Sequence, residues 1–280
     1  MTRTLKQLIE ENSPVIAPSI YDGISALLVR DLGFKAAYIG SYATGATKYG
    51  VADIGYIGLE DMADQVRRLA PVVGVPVIVD GEGGWGNPLH VARSVKVLER
   101  AGASAVHIED HVFGKHITAS PELLSVGQAC DKIKAAVDSR DSEDFMIIGR
   151  SDAFQTEGPS ATVDRVLAYQ EAGADGVFVA GVLDAESHAR LRADARVPIF
   201  AVDFPQHSAA DHAAQGADVV LYYALSHLAA IDGMRAALEV LAGEASTTSI
   251  EKSMSFVPAF DAFLGIEQAR GEARKYGLLD

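Results

Sequence analysis

The sequence predicts a (β/α)8 TIM barrel followed by an extra C-terminal helical segment, and three observations carry that expectation. Eight short, β-rich apolar runs recur along the chain. Helical periodicity fills the stretches between them, and several of those stretches end in glycine just before the next run. The runs are nearly continuous in hydrophobicity rather than alternating, as expected for parallel strands buried on both faces.

Taken in order, the runs are Val15-Ile16-Ala17, Ala36-Ala37-Tyr38-Ile39, Val75-Pro76-Val77-Ile78-Val79 and Ala105-Val106-His107-Ile108. Met146-Ile147-Ile148, Gly176-Val177-Phe178-Val179, Val197-Pro198-Ile199-Phe200 and Val219-Val220-Leu221-Tyr222 complete the set. Between the third and fourth, Val91, Val95, Leu98 and Ala101 fall on one face of a helix. The steps Gly33-Phe34, Gly102-Ala103, Gly173-Ala174 and Gly216-Ala217 supply the left-handed residue that ends a helix and turns the chain into a strand. Eight such units in about 230 residues suit a closed barrel, with a doubly wound open sheet as the alternative. Beyond them, 225–242 reads as a long helix and Ser246-Thr247-Thr248-Ser249 as a turn. The last stretch is helical again, with Phe256, Phe260 and Phe263 on one stripe. We therefore expect a catalytic barrel over 1–245 and a helical extension over 246–280, exchanged between the subunits of a homo-oligomer (a dimer or tetramer).

Bulk properties narrow the function classes. The 280 residues carry a formal net charge of −14 and are 49% hydrophobic. No basic stripe exists to neutralise phosphates, so nucleic acid is not an expected partner. No apolar run approaches the ~20 residues that span a bilayer, and the charged start of the chain lacks the apolar core of a signal peptide. A cytoplasmic enzyme is expected. The single cysteine, Cys130, excludes an intramolecular disulfide and reads as a packing residue on a helix. An acidic protein repels anions at long range, so an anionic substrate needs a bound cation or local arginines to draw it in.

Barrel chemistry sits where strands end, so the residues just after each run matter most. The third run ends in Asp80-Gly81-Glu82-Gly83-Gly84-Trp85-Gly86-Asn87, the fourth in Glu109-Asp110-His111 and the fifth in Arg150-Ser151-Asp152. The second ends in Gly40-Ser41-Tyr42, with Asp53 in the loop beyond. Carboxylates gathered on one rim with few cations are unstable unless something positive fills them. Oxygen donors without a Cys or His set favour Mg2+ or Mn2+ over zinc. Arg150 is a fork suited to a substrate carboxylate, or to a structural ion pair with a rim acid.

These segments, together with Pro18-Ser19-Ile20-Tyr21-Asp22 and Ile147-Ile148-Gly149-Arg150-Ser151-Asp152-Ala153, occur in the order seen in the isocitrate lyase / phosphoenolpyruvate mutase superfamily, which the chain resembles over about residues 5–245. The resemblance implies a Mg2+-dependent enzyme that breaks or makes a C–C or P–C bond beside a carbonyl through a metal-stabilised enolate. It also implies roles. Asp80 to Asn87 match the D-x-D-x-G-[YF]-G-N segment, with Glu82 where the direct metal ligand stands. Asp53, Asp80 and Glu109 would hold metal-bound waters. Gly40, Ser41 and Tyr42 match the cradle of the substrate carboxylate, although Tyr42 is bulkier than usual, and Tyr21 and Arg150 would also meet substrate.

The chain departs from the family at the loop that carries K-[KR]-C-G-H in the lyases and K-T-N-S or K-D-T-S in the phosphonate enzymes. Here it reads Phe113-Gly114-Lys115-His116-Ile117-Thr118, leaving Lys115 and His116 as proton carriers. The lyases' Glu after the sixth strand and Asn after the seventh are replaced within Phe178-Val179-Ala180-Gly181 and Ala201-Val202-Asp203-Phe204. Expected activity is therefore that of a lyase or hydrolase acting on a C–C bond of a small 2-hydroxy or 2-oxo (di)carboxylate. C–P chemistry on a phosphonopyruvate-like substrate, or decarboxylation at the same metal site, are the alternatives.

Overall fold

The computed structural model describes residues 3–112, 115, 117, 122–204 and 206–279. Eight strands are present: β1 (Val15–Pro18), β2 (Ala37–Ile39), β3 (Val77–Asp80), β4 (Ala105–Glu109), β5 (Met146–Ser151), β6 (Gly176–Val179), β7 (Ile199–Val202) and β8 (Val219–Tyr222). The helices are α1 (Leu5–Glu11), α2 (Gly23–Asp31), α3 (Ser41–Tyr49), α4 (Leu59–Val73), α5 (Pro88–Ala101), α6 (Val126–Ser139) and α7 (Phe154–Glu157). They continue with α8 (Pro159–Glu171), α9 (Ala185–Asp194), α10 (Ala209–Ala214), α11 (Leu225–Glu244), α12 (Val257–Phe263) and α13 (Ile266–Lys275). All strand pairs are parallel, from β2 through β8 in sequence order and then β8 to β1. Ser19 bridges Tyr38, and the Ile20 amide donates to the Tyr38 carbonyl at 2.8 Å, so the sheet closes between its first and second strands. The expected barrel is the observed architecture.

Each apolar run contains a strand, but β3 and β7 begin two residues later than the run. Pro76 and Pro198 explain the shift: a proline has no N–H to give to a ladder, while its carbonyl still accepts. Those carbonyls accept from the amides of Ala37 and Val177, at 3.0 Å each.

Two cores follow from the alternation of side chains along a strand. One lies between the sheet and its helices and includes Val77, Val79, Val106, Ile108, Ile147 and Val177. The other fills the barrel axis with Val15, Ala17, Tyr38, Ile78, Ala105, Met146, Ile148, Phe178, Phe200, Val219 and Leu221, and Leu5, Leu8 and Ile9 of α1 pack into it. Burying a side chain such as Phe178 or Ile148 contributes about 1.5–3 kcal/mol each.

The chain divides into two compact units, Met1–Leu228 and Ala229–Asp280. Within the second, α12 and α13 pack together and the Phe260 and Phe263 rings stack at 6.2 Å. No described helix is long and apolar enough to cross a membrane.

Candidate active site at the strand ends

The axial residues of each strand, carried two positions further, give the rim. Ile78 leads to Asp80, Ala105 to His107 and Glu109, Met146 and Ile148 to Arg150, and Ala36 and Tyr38 to Gly40. Parallel pairing places Asp80 beside His107, and Glu109 beside Arg150. The polar residues are thus forced inward by the same period that buries the apolar ones below them.

Local geometry fixes their aim. A side chain at Gly81 would put its Cβ 2.6 Å from Val106 and 2.7 Å from the His107 carbonyl, so only glycine lets β3 leave the barrel this close to β4. The next residue, Glu82, takes a left-handed φ of 49° and its amide donates to Asp80 Oδ1 at 2.9 Å, which fixes the Asp80 carboxylate. Gly40 caps α3 and brings the Ser41 amide to 3.3 Å from Asp80 Oδ2. The Ser41 hydroxyl lies 2.8 Å from Asp80 Oδ2 and 3.2 Å from Asp53 Oδ1, its one proton serving one acceptor at a time.

Four carboxylates face a single point, and the Lys115 ammonium occupies it. Lys115 Nζ is 3.0 Å from Glu82, 3.3 Å from Glu109, 3.5 Å from Asp53 and 3.8 Å from Asp80. Burial opposes its charge, but Asp80, Glu109, Glu82 and Asp53 together hold its pKa well above the usual lysine value. One cation does not balance this cluster. Burial, reinforced by Asp80 and Glu109, pushes the Glu82 carboxyl up to about 8 despite Lys115, and Glu82 Oε1 makes no hydrogen bond although it lies within ion-pairing distance of the ammonium. Glu109 behaves oppositely: burial raises its pKa, but Arg150, Lys115 and His111 outweigh that and hold it well below the carboxylate range.

Arg150 is already engaged. Its Nη1 is 2.8 Å from Glu109 Oε1, while Nε and Nη2 donate to Asp152 at 2.9 and 2.8 Å. The guanidinium also sits 5.1 Å over the Phe178 ring. Two of its five N–H groups remain for another acceptor. Both sequence readings of this residue are therefore physically compatible.

Hard oxygen donors, an orphaned buried carboxylate oxygen and a positive group at their focus fit a divalent cation. Among the described residues, two groups have ligand atoms within 4.8 Å of one another, Asp80-His107-Glu109 and Glu109-His111-Asp152. They overlap the expected set at Asp80 and Glu109 and add imidazoles to it.

Of the sequence candidates, Gly40, Tyr42, Asp53, Asp80, Lys115 and Arg150 line one cavity of about 640 Å3. Glu82, Glu109 and again Lys115 line an adjoining one of about 420 Å3. Ser41 is fully buried against Asp80 and is not part of either lining. Tyr21 is not brought to the cavity: its carbonyl accepts from Gln65 at 3.1 Å and its ring meets His227 edge-on. His116 lies outside the described residues.

Sequence reasoning gave no role to three residues. His107 stands under Asp80 (3.7 Å), bonded to the Tyr38 hydroxyl at 3.1 Å, and burial lowers its pKa to about 4, so it is neutral. His111 Nδ1 lies 3.2 Å from Glu109, and Asp152 holds Arg150. The signal for His107 was present, since it lies two residues before Glu109 on a strand. Asp110, one residue out of that register, instead accepts from Ser151 and Tyr169 at 2.6 and 2.7 Å on the outer face of the barrel.

Known proteins give this arrangement a family. Residues 5–242 match the family model described as phosphoenolpyruvate phosphomutase. The 2,3-dimethylmalate lyase of Eubacterium barkeri is 30% identical over 282 residues, covering 97% of this chain and 96% of the relative. An oxaloacetate decarboxylase of Paraburkholderia xenovorans (strain LB400) is 34% identical over 206 residues, 73% of this chain and 69% of that protein. The structure of a phosphonopyruvate hydrolase in complex with oxalate and Mg2+ superposes with a TM-score of 0.89 at 26% identity, covering 99% of each chain. A barrel whose polar rim grows out of β2 to β5, matched over most of its length, belongs to the phosphoenolpyruvate mutase / isocitrate lyase family.

Proposed function

We propose that this chain is a divalent-metal-dependent carbon–carbon lyase or hydrolase acting on a small 2-oxo or 2-hydroxy acid through an enolate. The observation that carries the reading is the convergence of Asp53, Asp80, Glu82 and Glu109 within 3.8 Å of one point. Relatives that cleave such acids, and a neighbour solved with oxalate and Mg2+, support it. Mg2+, or Mn2+ in its place, would be held by those four residues and supplies Lewis-acid stabilisation of charge developing on a carbonyl oxygen. The free N–H groups of Arg150 orient the substrate carboxylate, and Gly40 and Tyr42 line the cavity beside it, while the Ser41 amide and hydroxyl hold Asp80 in place. Lys115 stands at the focus of the four carboxylates, keeps its proton and gives up that place to an incoming ion, leaving His116 as the remaining loop candidate for proton delivery.

Decarboxylation is the second reading, and one observation favours it. The oxaloacetate decarboxylase of Paraburkholderia xenovorans (strain LB400) is 34% identical to this chain. Loss of carbon dioxide takes no proton from the substrate and needs only one returned to the enolate. We assign catalysis to 1–245 and subunit exchange in a cytoplasmic homo-oligomer to 246–280, which light scattering of the full chain and of one ending at 245 would check.

Thermal shift with oxalate and Mg2+, singly and together, tests the core of the proposal. Stabilisation by the pair beyond the sum of each alone is expected. No coupling would sink it. A panel of 2-oxo and 2-hydroxy acids assayed for Mg2+-dependent release of pyruvate or carbon dioxide then separates the two reactions.

A further inference from the structure

The larger cavity is built from unlike halves. Strands β2 to β5 bring Asp53, Asp80, Lys115, Arg150 and Asp152 to it, whereas the ends of β6, β7 and β8 and the start of α7 bring Phe154, Val182, Val202, Phe204 and Tyr223. Val182 and Tyr223 are 46% and 39% exposed, and Tyr42, 40% exposed, meets the Tyr223 ring edge-on at 6.0 Å. Large apolar groups left open beside a charged site are unusual unless a ligand covers them.

Charge sharpens the point. Asp203 is the one ionisable acid or base that β6 to β8 contribute to the lining, apart from the Tyr223 phenol, and its Oδ1 is buried without a hydrogen-bond partner. Among the described lining residues, four carboxylates (Asp53, Asp80, Asp152, Asp203) face two cations, Lys115 and Arg150, and both are already paired with protein acids. Glu82 and Glu109 share those two cations, so a divalent ion reduces the negative excess around the cavity and the substrate's first carboxylate increases it again. A second carboxylate at the far end would meet apolar groups and Asp203 with no counter-charge, which is costly.

We infer that the substrate is a 2-oxo or 2-hydroxy acid whose far end is uncharged and apolar, seated against Val182, Val202, Phe204 and Tyr223. This rests on the function proposed above, because the acid end must be anchored at the carboxylate site for the tail to reach β6 to β8. The chain thus selects by tail chemistry in a half of the barrel that takes no part in bond breaking.

Competitive binding to the Mg2+-loaded full chain tests it with three probes. Oxalate reports the anchor; 2-oxoglutarate adds a carboxylate tail, and 5-methyl-2-oxohexanoate replaces that carboxylate by an isopropyl group of similar size. The apolar probe is expected to bind roughly tenfold or more tightly than 2-oxoglutarate. Val182→Arg, placed on an exposed side chain, is expected to narrow that ratio by about threefold or more by supplying the missing cation. If oxalate binds with Mg2+ but 2-oxoglutarate binds as well as the apolar probe, this inference alone fails. If oxalate does not bind with Mg2+, the proposed function fails and takes the inference with it.

Discussion

The two sides of the barrel mouth obey one construction rule and reach opposite chemistry. On β2 to β5, stepping two residues beyond the axial core gives Gly40, Asp80, Glu109 and Arg150. The same step on β6 to β8 gives Ala180, Val202 and Tyr223. Since every strand buries its axial residues equally well, the contrast is not a demand of folding. The charged side is a tightly cross-linked set in which each group's ionisation depends on its neighbours. The apolar side is open, and few of its members touch one another's charge.

That contrast is easiest to break at Arg150. Replacing it in Arg150→Met removes the guanidinium that Glu109 and Asp152 share, at a cost of about 3–5 kcal/mol. Urea unfolding reads the loss; a change below about 1 kcal/mol would mean the charged side is not mutually dependent. Lys115→Met should act next. In the metal-free protein it lowers the melting temperature, while Mg2+ affinity by titration calorimetry tightens by about tenfold because ion and ammonium no longer compete. Unchanged affinity would show that the two do not share a place.

A pH scan sharpens the comparison further. Glu82 has its folded pKa raised to about 8 from an ordinary 4.5, so its contribution to stability is complete below about pH 4.5 and is lost as pH rises through about 8. The metal-free protein should therefore lose stability across that window, and Glu82→Gln should remove that part of the slope. Identical slopes for the two proteins in calorimetry with chelator would contradict the assignment. The smallest effect is expected on the apolar side. Val182→Ser should leave unfolding within about 0.5 kcal/mol of the parent while weakening 5-methyl-2-oxohexanoate more than oxalate.

Much of this was legible in the sequence. Eight apolar runs gave eight strands, because a strand buried on both faces has no polar positions to blur it. The acids after β3 and β4 could be read as a cluster because strand ends in a barrel share one rim. What escaped has a common cause. His107 looked like part of an apolar run, and only the direction of its side chain, inward with Glu109, makes it a neighbour of Asp80. Tyr21, which the resemblance put at the substrate, turns its ring to His227 instead, since a matched motif does not say where a ring points. The ammonium of Lys115 among four acids depends on a loop whose course no periodicity encodes.

The placement of Lys115 has a consequence for the order of events in a cell. A cage of four acids would ordinarily make folding wait on the supply of an ion, as it does in small metal-nucleated domains. Here the chain carries its own provisional counter-ion, tethered at 3.0 Å from Glu82 and 3.3 Å from Glu109. The barrel can be completed before a divalent ion arrives and loaded afterwards, so on the proposed function a chelator should silence it without unfolding it. Under that proposal, scarcity of the ion would lower activity while leaving the pool of folded protein intact.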